Sequence, residues 1–274
     1  GIPQAMFAME SHTEDVARAM GIPSYEFRMK NVMPKGFTDG FSKNVNYYDT
    51  FRECMEKGRK EFDYDRRLKE YEGQTGDVRR GVGMSVFWYN TGVWPISLET
   101  SACRMVLNQD GSIQVQVGET EIGQGADTAF AQMAAETLGI PLEMVHVIST
   151  QDTDVTPFGT GAYASRQTYM AGFSIRQTGE LLKEKILKTA CDLTRQMEEN
   201  LDIINGDIIR TTDGEVLMSL GELATEKLYS LTDNGHLTAE SSYQIKNNAY
   251  SFGWYFCRGR GGYSCLQSTG DGYP

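Results

Sequence analysis

Hydrophobic positions recur along this chain with two spacings, one typical of amphipathic helices and the other of half-buried strands. The helical spacing predicts helices over residues 3–20, 24–30, 47–72, 128–138, 165–200 and 219–227. Alternation, or a short apolar run, predicts strands over residues 79–94, 101–107, 112–117, 145–149, 207–210 and 215–218. No segment repeats. The pattern therefore predicts an α+β fold in which long helices pack on a mainly antiparallel sheet.

Turn and capping residues refine these boundaries. Asp110-Gly111 lies between two strand patterns and predicts a hairpin. Ser219 and Glu222 have the spacing of a capping box at the start of a short helix. A polar linker over residues 73–77 divides a helical first segment, residues 1–77, from a mixed second segment, residues 78–253.

Composition and charge narrow the possible functions. The 274 residues carry a net charge of −11, which argues against binding to nucleic acid or to an anionic membrane surface. No apolar run is long enough to span a membrane. The five cysteines form no CxxC pair, and the three histidines are widely dispersed, so neither set suggests a metal site. An odd, scattered cysteine count favours reduced thiols and a cytoplasmic protein.

A glycine-rich loop stands at the entrance of the helix predicted over residues 128–138. It contains Gly123-Gln124-Gly125 and follows the strand pattern that ends at Val117. Glycine lets backbone N–H groups approach a ligand closely, and a helix N-terminus favours anionic groups. A simple turn would also explain this loop, so its function depends on the rest of the chain.

A second loop of small residues precedes the long helix predicted from Ser165. Ser165 could cap that helix, and Arg166 could pair with a phosphate or with a local carboxylate. The spacing Gly159-x-Gly161-x-x-Ala164 fits a dinucleotide fingerprint, but the strand–loop–helix–strand context of that motif is missing. No Gly-Lys-Ser/Thr sequence supports a Walker-type phosphate loop.

Taken together, the two loops resemble those of the molybdenum hydroxylases, the xanthine dehydrogenase and aldehyde oxidase family. The resemblance rests on Gly123-Gln124-Gly125 opening a helix and on Gly161-x-Tyr-Ala-Ser-Arg166, with a strand between them. Pro3-Gln4-Ala5 entering a helix and the sequence from Pro23 to Asn31 match as well. The resemblance covers residues 1–253 and is closest to the molybdenum subunits of bacterial xanthine dehydrogenases.

This resemblance implies a molybdenum–molybdopterin cofactor, with iron–sulfur clusters and FAD in partner subunits. It assigns Gln124 a hydrogen bond to the cofactor and places the Ala164 backbone beside molybdenum. The implied cofactor-binding residues are Gly123, Gln124, Gly125, Ala164, Ser165, Arg166 and Gln167. The alternative is that Gln124 only caps its helix and Ala164 only packs.

The resemblance further implies oxidation of a purine-type heterocycle, hypoxanthine or xanthine to urate, with oxygen derived from water. Nicotinate, an aldehyde or carbon monoxide remain alternative substrates, and a non-catalytic module that binds molybdopterin or partner subunits remains an alternative function. The family's base, a glutamate in Gly-x-Gly-Glu, and its arginine before the Pro-Gln helix both lie outside this chain. We therefore predict no catalytic residue here and expect the chain to be an internal fragment without activity of its own.

The last segment, residues 254–274, departs from the family. Reverse translation of Trp254–Ser264, read one base later, can yield Gly-Thr-Phe-Val-Glu-Val-Glu-Val-Asp-Ile, the alternating strand that the resemblance calls for. We therefore predict an out-of-frame or disordered tail, with a genuine glycine-rich tail as the alternative. Sequencing the gene decides, because a shifted frame without Val/Glu codons would contradict the prediction.

Overall fold

A computed structural model describes residues 1–40, 45–97, 99–150, 152–247, 249–262 and 268–272. Among these residues, no helix has the length and apolar character needed to cross a membrane. The helices are α1 Ile2–Ala19, α2 Ser24–Asn31, α3 Thr50–Glu61, α4 Tyr64–Glu70, α5 Ala126–Leu138, α6 Gln167–Thr194 and α7 Leu220–Leu228. The strands are β1 Val78–Thr91, β2 Thr100–Leu107, β3 Ile113–Val117, β4 Val145–Ile148, β5 Leu201–Ile204, β6 Asp207–Arg210, β7 Val216–Ser219, β8 Thr238–Gln244, β9 Ala249–Gly262 and β10 Ser268–Gly272.

The chain forms two compact units whose limits differ from the linker-based division. The first unit contains Gly1–Asn90 and Ala249–Pro274, and the second contains Thr91–Asn248. The linker at residues 73–77 lies inside the first unit, because the strand that follows it belongs to a sheet with the order β1-β9-β10. The fold class is α+β, as the hydrophobic pattern predicts.

The first unit has its own core of aromatic and sulfur-containing side chains. Phe51 and Met55 on α3 are buried with Tyr64 on α4 and Phe256 on β9. The prediction of one helix over residues 47–72 is wrong. α3 ends at Glu61, and Asp63, the N-cap of α4, adopts a left-handed conformation with φ of 56° that interrupts the helix.

The segment after Gly253 is partly ordered as a strand. β9 continues to Gly262, and β10 pairs with it antiparallel, with Ser268 opposite Gly261. Residues 254–262 thus belong to a strand, and the prediction of an out-of-frame or disordered tail over residues 254–274 stays a prediction. The shifted reading frame concerns the gene and stays a prediction.

The second unit is built on a four-stranded sheet with the order β4-β3-β2-β8. The predicted hairpin is confirmed, since β2 and β3 are antiparallel with Leu107 opposite Ile113. β4 is parallel to β3, and α5 and α6 pack on the sheet. Ile113, Val115 and Val117 of β3 have no exposed surface, so one face of this strand is the centre of the core.

Two details of the second unit place the candidate loops. The sheet β5-β6-β7 is followed by α7, where Ser219 and Glu222 form the predicted capping box. The long helix α6 begins at Gln167, and Arg166 occupies its N-cap position. Ser165 is therefore not the cap of this helix, and that expectation is wrong.

Candidate functional site

The first candidate loop folds around a carboxylate from its own sequence. Glu121 Oε1 accepts hydrogen bonds from the backbone N–H groups of Gly123 at 2.6 Å and Gly125 at 3.1 Å, and Oε2 accepts one from Asp127 at 3.1 Å. Gly123 and Gly125 adopt φ angles of 97° and 83°, which glycine reaches without steric cost. The N–H groups at the entrance of α5 thus bind an anionic group, here a carboxylate of the same loop, and their contact with a ligand stays a prediction.

The side chain of Gln124 links the two loops. Its Nε2 donates to Gln167 Oε1 at 2.7 Å and to the Thr120 carbonyl at 3.1 Å. Gln167 Nε2 donates to the same carbonyl at 2.6 Å. Gln124 is exposed, whereas Gln167, 43 residues later in the sequence, is buried. The buried Gln167 amide therefore fixes the orientation of the exposed Gln124 amide.

The second loop carries backbone strain next to this amide pair. Ala164 and Ser165 have φ angles of 48° and 53°, although neither is glycine. Left-handed conformations at non-glycine residues cost on the order of 1–3 kcal/mol each and cluster at functional sites. The Ala164 carbonyl accepts a hydrogen bond from Gly92 N–H at 2.9 Å, which holds the turn in place.

The two loops also touch through their backbones at Gly118 and Gly159. A Cβ atom built on Gly118 would lie 2.2 Å from the Pro157 carbonyl oxygen and 2.4 Å from Gly159 N. A Cβ on Gly159 would lie 2.5 Å from the Gly118 carbonyl oxygen. Only glycine at both positions allows the loops to approach this closely.

A buried ion cluster completes the connection between the loops. Arg166 Nε donates to Glu99 Oε2 at 2.7 Å, and Nη1 donates to Glu119 Oε1 at 3.0 Å, with all three side chains fully buried. Arg166 also donates to the carbonyls of Gly161 and Thr100. Of the two partners left open for Arg166, phosphate or local carboxylate, the structure shows the carboxylates.

Burial shapes the acid–base behaviour of this cluster. Burial raises the pKa of Glu119, and the neighbouring Arg166 guanidinium opposes that rise. Two carboxylates share one guanidinium here, so the cluster has one negative charge in excess when both are ionised. The cost of burying that charge favours the protonated form of Glu119.

All the predicted site residues lie along the two joined loops, but their side chains have different surroundings. Gly123, Gln124 and Gly125 are exposed, Ala164 and Ser165 form the strained turn, and Arg166 and Gln167 are buried at the entrance of α6. Sequence reasoning missed Glu99, Glu119 and Glu121. The signal for the first two is strand alternation, since Glu119 continues the buried phase of Ile113, Val115 and Val117.

The hydrogen bonds to Glu121 predict a measurable pH dependence. They lower the pKa of Glu121, the bond from Asp127 N–H most strongly, so the native loop favours the ionised carboxylate. Its contribution to stability is present above the ordinary pKa of 4.5 and is lost as pH falls through the lowered native value.

Glu121→Gln should therefore remove this dependence. The difference between wild type and variant in free energy of unfolding should shrink as pH is lowered below 4.5. Urea unfolding at a series of pH values measures it, and Glu184→Gln, which replaces an exposed carboxylate on α6, is the control for a general effect of removing one surface carboxylate. A difference that stays constant with pH would contradict the assignment.

Comparison with known proteins identifies the family to which this chain belongs. Residues 57–258 match the family model described as a molybdopterin cofactor-binding domain. The chain belongs to the molybdopterin cofactor-binding domain family. The xanthine dehydrogenase molybdenum-binding subunit of Escherichia coli O157:H7 is 46% identical over 257 residues, which cover 93% of this chain and 34% of that protein.

Solved structures share the fold of this chain. CO dehydrogenase from Oligotropha carboxidovorans superposes with a TM-score of 0.79 and 24% identity over 97% of this chain and 35% of that one. Quinoline 2-oxidoreductase from Pseudomonas putida 86 superposes with a TM-score of 0.77 and 21% identity over 97% of this chain and 36% of that one. The chain thus spans about a third of the length of these relatives and structures.

Proposed function

We propose that the joined loops form one wall of a molybdenum–molybdopterin site in a purine-oxidising enzyme. The observation that supports this best is the Gln124–Gln167 hydrogen bond, which sets an exposed amide beside the strained Ala164–Ser165 turn. Gln124 Nε2 donates both of its hydrogens within the chain, and Oε1 accepts the Ile122 N–H at 2.7 Å, so the remaining lone pair of Oε1 is the group that suits an N–H donor of a pterin ring. Fixing that amide in advance reduces the entropy lost when a ligand binds.

The donor set of the loops fits such a group. Three N–H groups at the entrance of α5 donate to the anionic Glu121 carboxylate, so an anionic part of a ligand would suit the same donors if it displaced that side chain. A Cβ atom built on Gly123, Gly125 or Gly161 would meet no atom within 4 Å, so open space borders both loops. Small residues beside open space allow the backbone to contact a ligand directly.

Each predicted residue receives a role in this proposal. Gln124 binds the cofactor through its amide, the Ala164 backbone lies beside molybdenum, and Ser165 and Gln167 follow the cofactor, with Gly123 and Gly125 supplying backbone contacts. Arg166 does not contact the cofactor through its side chain, because its guanidinium pairs with Glu99 and Glu119. When bound, the cofactor supplies oxidative hydroxylation of an electron-poor carbon.

We further propose hypoxanthine or xanthine as the substrate of the complete enzyme, which forms urate. The chain is 46% identical to a xanthine dehydrogenase subunit but only 27% identical to the carbon monoxide dehydrogenase large chain of Afipia carboxidovorans. This difference supports a purine over carbon monoxide as the substrate. By resemblance, FAD-binding and iron–sulfur subunits would be the partners. The described cysteines are free thiols, which supports a cytoplasmic location.

Purification from a host that makes molybdopterin tests the function. The chain should contain molybdenum and pterin but form no urate from xanthine, because its base and arginine are absent from the sequence. A complete polypeptide that includes this segment should form urate and show little turnover of nicotinate. A chain without pterin would contradict the cofactor assignment, whereas urate formation by the chain alone would contradict the predicted inactivity. Pterin content without activity in the complete polypeptide would favour the non-catalytic module.

A further inference from the structure

We propose that Glu99, Arg166 and Glu119 are positioning residues that set the Ala164–Ser165 turn against the first loop for cofactor binding. This inference rests on the proposed function, because the ligand it serves is the same pterin. The inference goes further because it assigns a role to a buried ion cluster that does not itself contact the ligand. The cluster acts on the site through backbone groups.

The first line of evidence is a closed circuit of contacts around the strained turn. Arg166 pairs with Glu99 at 2.7 Å, and Glu99 Oε1 accepts the N–H of Val93 at 3.0 Å. The neighbouring Gly92 N–H donates to the Ala164 carbonyl at 2.9 Å. This series of contacts leads from Arg166 through Glu99 and residues 92–93 back to the Ala164–Ser165 turn. A shift of the guanidinium would therefore move the Ala164 carbonyl.

The second line of evidence is that the same guanidinium reaches the first loop. Arg166 Nη1 donates to Glu119 and also to the Gly161 carbonyl, both at 3.0 Å. Glu119 directly precedes Thr120, whose carbonyl accepts from both Gln124 and Gln167. One planar, rigid fork thus fixes both loops that carry the exposed amide.

Energetics favour a positioning role over a purely stabilising one. A buried ion pair recovers its desolvation cost only with excellent geometry, and apolar residues of similar volume are often as stabilising. The arginine fork, however, imposes directions that apolar packing cannot impose. Two consecutive left-handed residues need such external constraint, since each costs on the order of 1–3 kcal/mol.

A charge-neutral variant separates positioning from stability. The triple variant Glu99→Gln, Arg166→Met and Glu119→Gln removes all three charges together, so no buried charge is left unpaired, and it should fold. Its pterin content per polypeptide, after purification from a molybdopterin-producing host, should fall by about 10- to 100-fold, the range typical of residues that orient ligand-binding groups. Backbone hydrogen exchange at Gly92 should become faster in the chain without cofactor, because the Ala164 carbonyl is no longer held.

The conservative variant Arg166→Lys is the second test. It keeps the charge but loses the fork, so it should fold and still lose about 10-fold in pterin content. The matched control is Arg104→Gln with Glu240→Gln, which removes a solvent-exposed ion pair of the same unit and should leave pterin content unchanged. A wild-type chain without pterin would overturn the proposed function together with this inference. Wild-type pterin content in either variant, or unchanged exchange at Gly92, would overturn the inference alone.

Discussion

Replacing Arg166 by methionine is expected to lower the free energy of unfolding by about 3–5 kcal/mol, the cost of removing one partner from a buried ion pair. The variant leaves Glu99 and Glu119 buried without their guanidinium. Both carboxylates would then be buried without a counter-charge, and the cost of their desolvation destabilises the second unit. Urea unfolding followed by tryptophan fluorescence and circular dichroism measures the loss.

The control for this prediction is Arg104→Met. Arg104 pairs with Glu240 at 2.7 Å, a distance equal to that between Arg166 and Glu99, but its side chain is 44% exposed. An exposed pair contributes only about 0–1 kcal/mol, so this variant should unfold almost like wild type. If Arg166→Met cost no more than Arg104→Met, the buried cluster would not constrain the loops as described.

Replacing Gly118 by alanine should separate the two loops and weaken pterin retention by about 10- to 100-fold. The added Cβ would lie 2.2 Å from the Pro157 carbonyl oxygen and would also clash with Gly159 N, and both obstacles are backbone atoms that cannot rotate away. Overpacking of this kind also costs about 1–3 kcal/mol in stability. Pterin content and urea unfolding of the purified variant measure the two effects.

Gly172→Ala is the matched control in the same unit. Its Cβ would lie 3.1 Å from Met133 Sδ, an atom of a flexible side chain, and alanine is the better helix former within α6. This variant should keep both pterin and stability. Equal pterin content in Gly118→Ala and Gly172→Ala would show that close approach of the loops is not needed for binding.

Local patterns made much of the fold predictable. The hairpin of β2 and β3, the capping box of α7 and the glycine loop before α5 each depend on neighbours in sequence, so periodicity and turn residues indicated them. The break at Asp63 was not predictable, because the charged pattern continues through it while the backbone turns left-handed. Intrinsic preference is weak there, and packing decides.

The contents of the candidate site were only partly predictable. Glycine spacing and family resemblance identified the two loops, but sequence reasoning missed Glu119, although it continues the buried phase of β3. Its partner Arg166 lies 47 residues away, and the Gln124–Gln167 bond spans 43 residues. Sequence spacing does not determine which distant side chains meet, because the paths of the intervening strand and loops set those contacts.

In the proposed function, both loops bind one pterin as a single surface. Its most direct test is a titration of the isotope-labelled chain with a phosphorylated pterin, followed by the side-chain amide resonances of Gln124 and Gln167 and the backbone amides of Gly123, Gly125 and Ala164. Resonances of both loops should shift together and give one dissociation constant. Shifts confined to one loop, or no saturable shift in either, would contradict it.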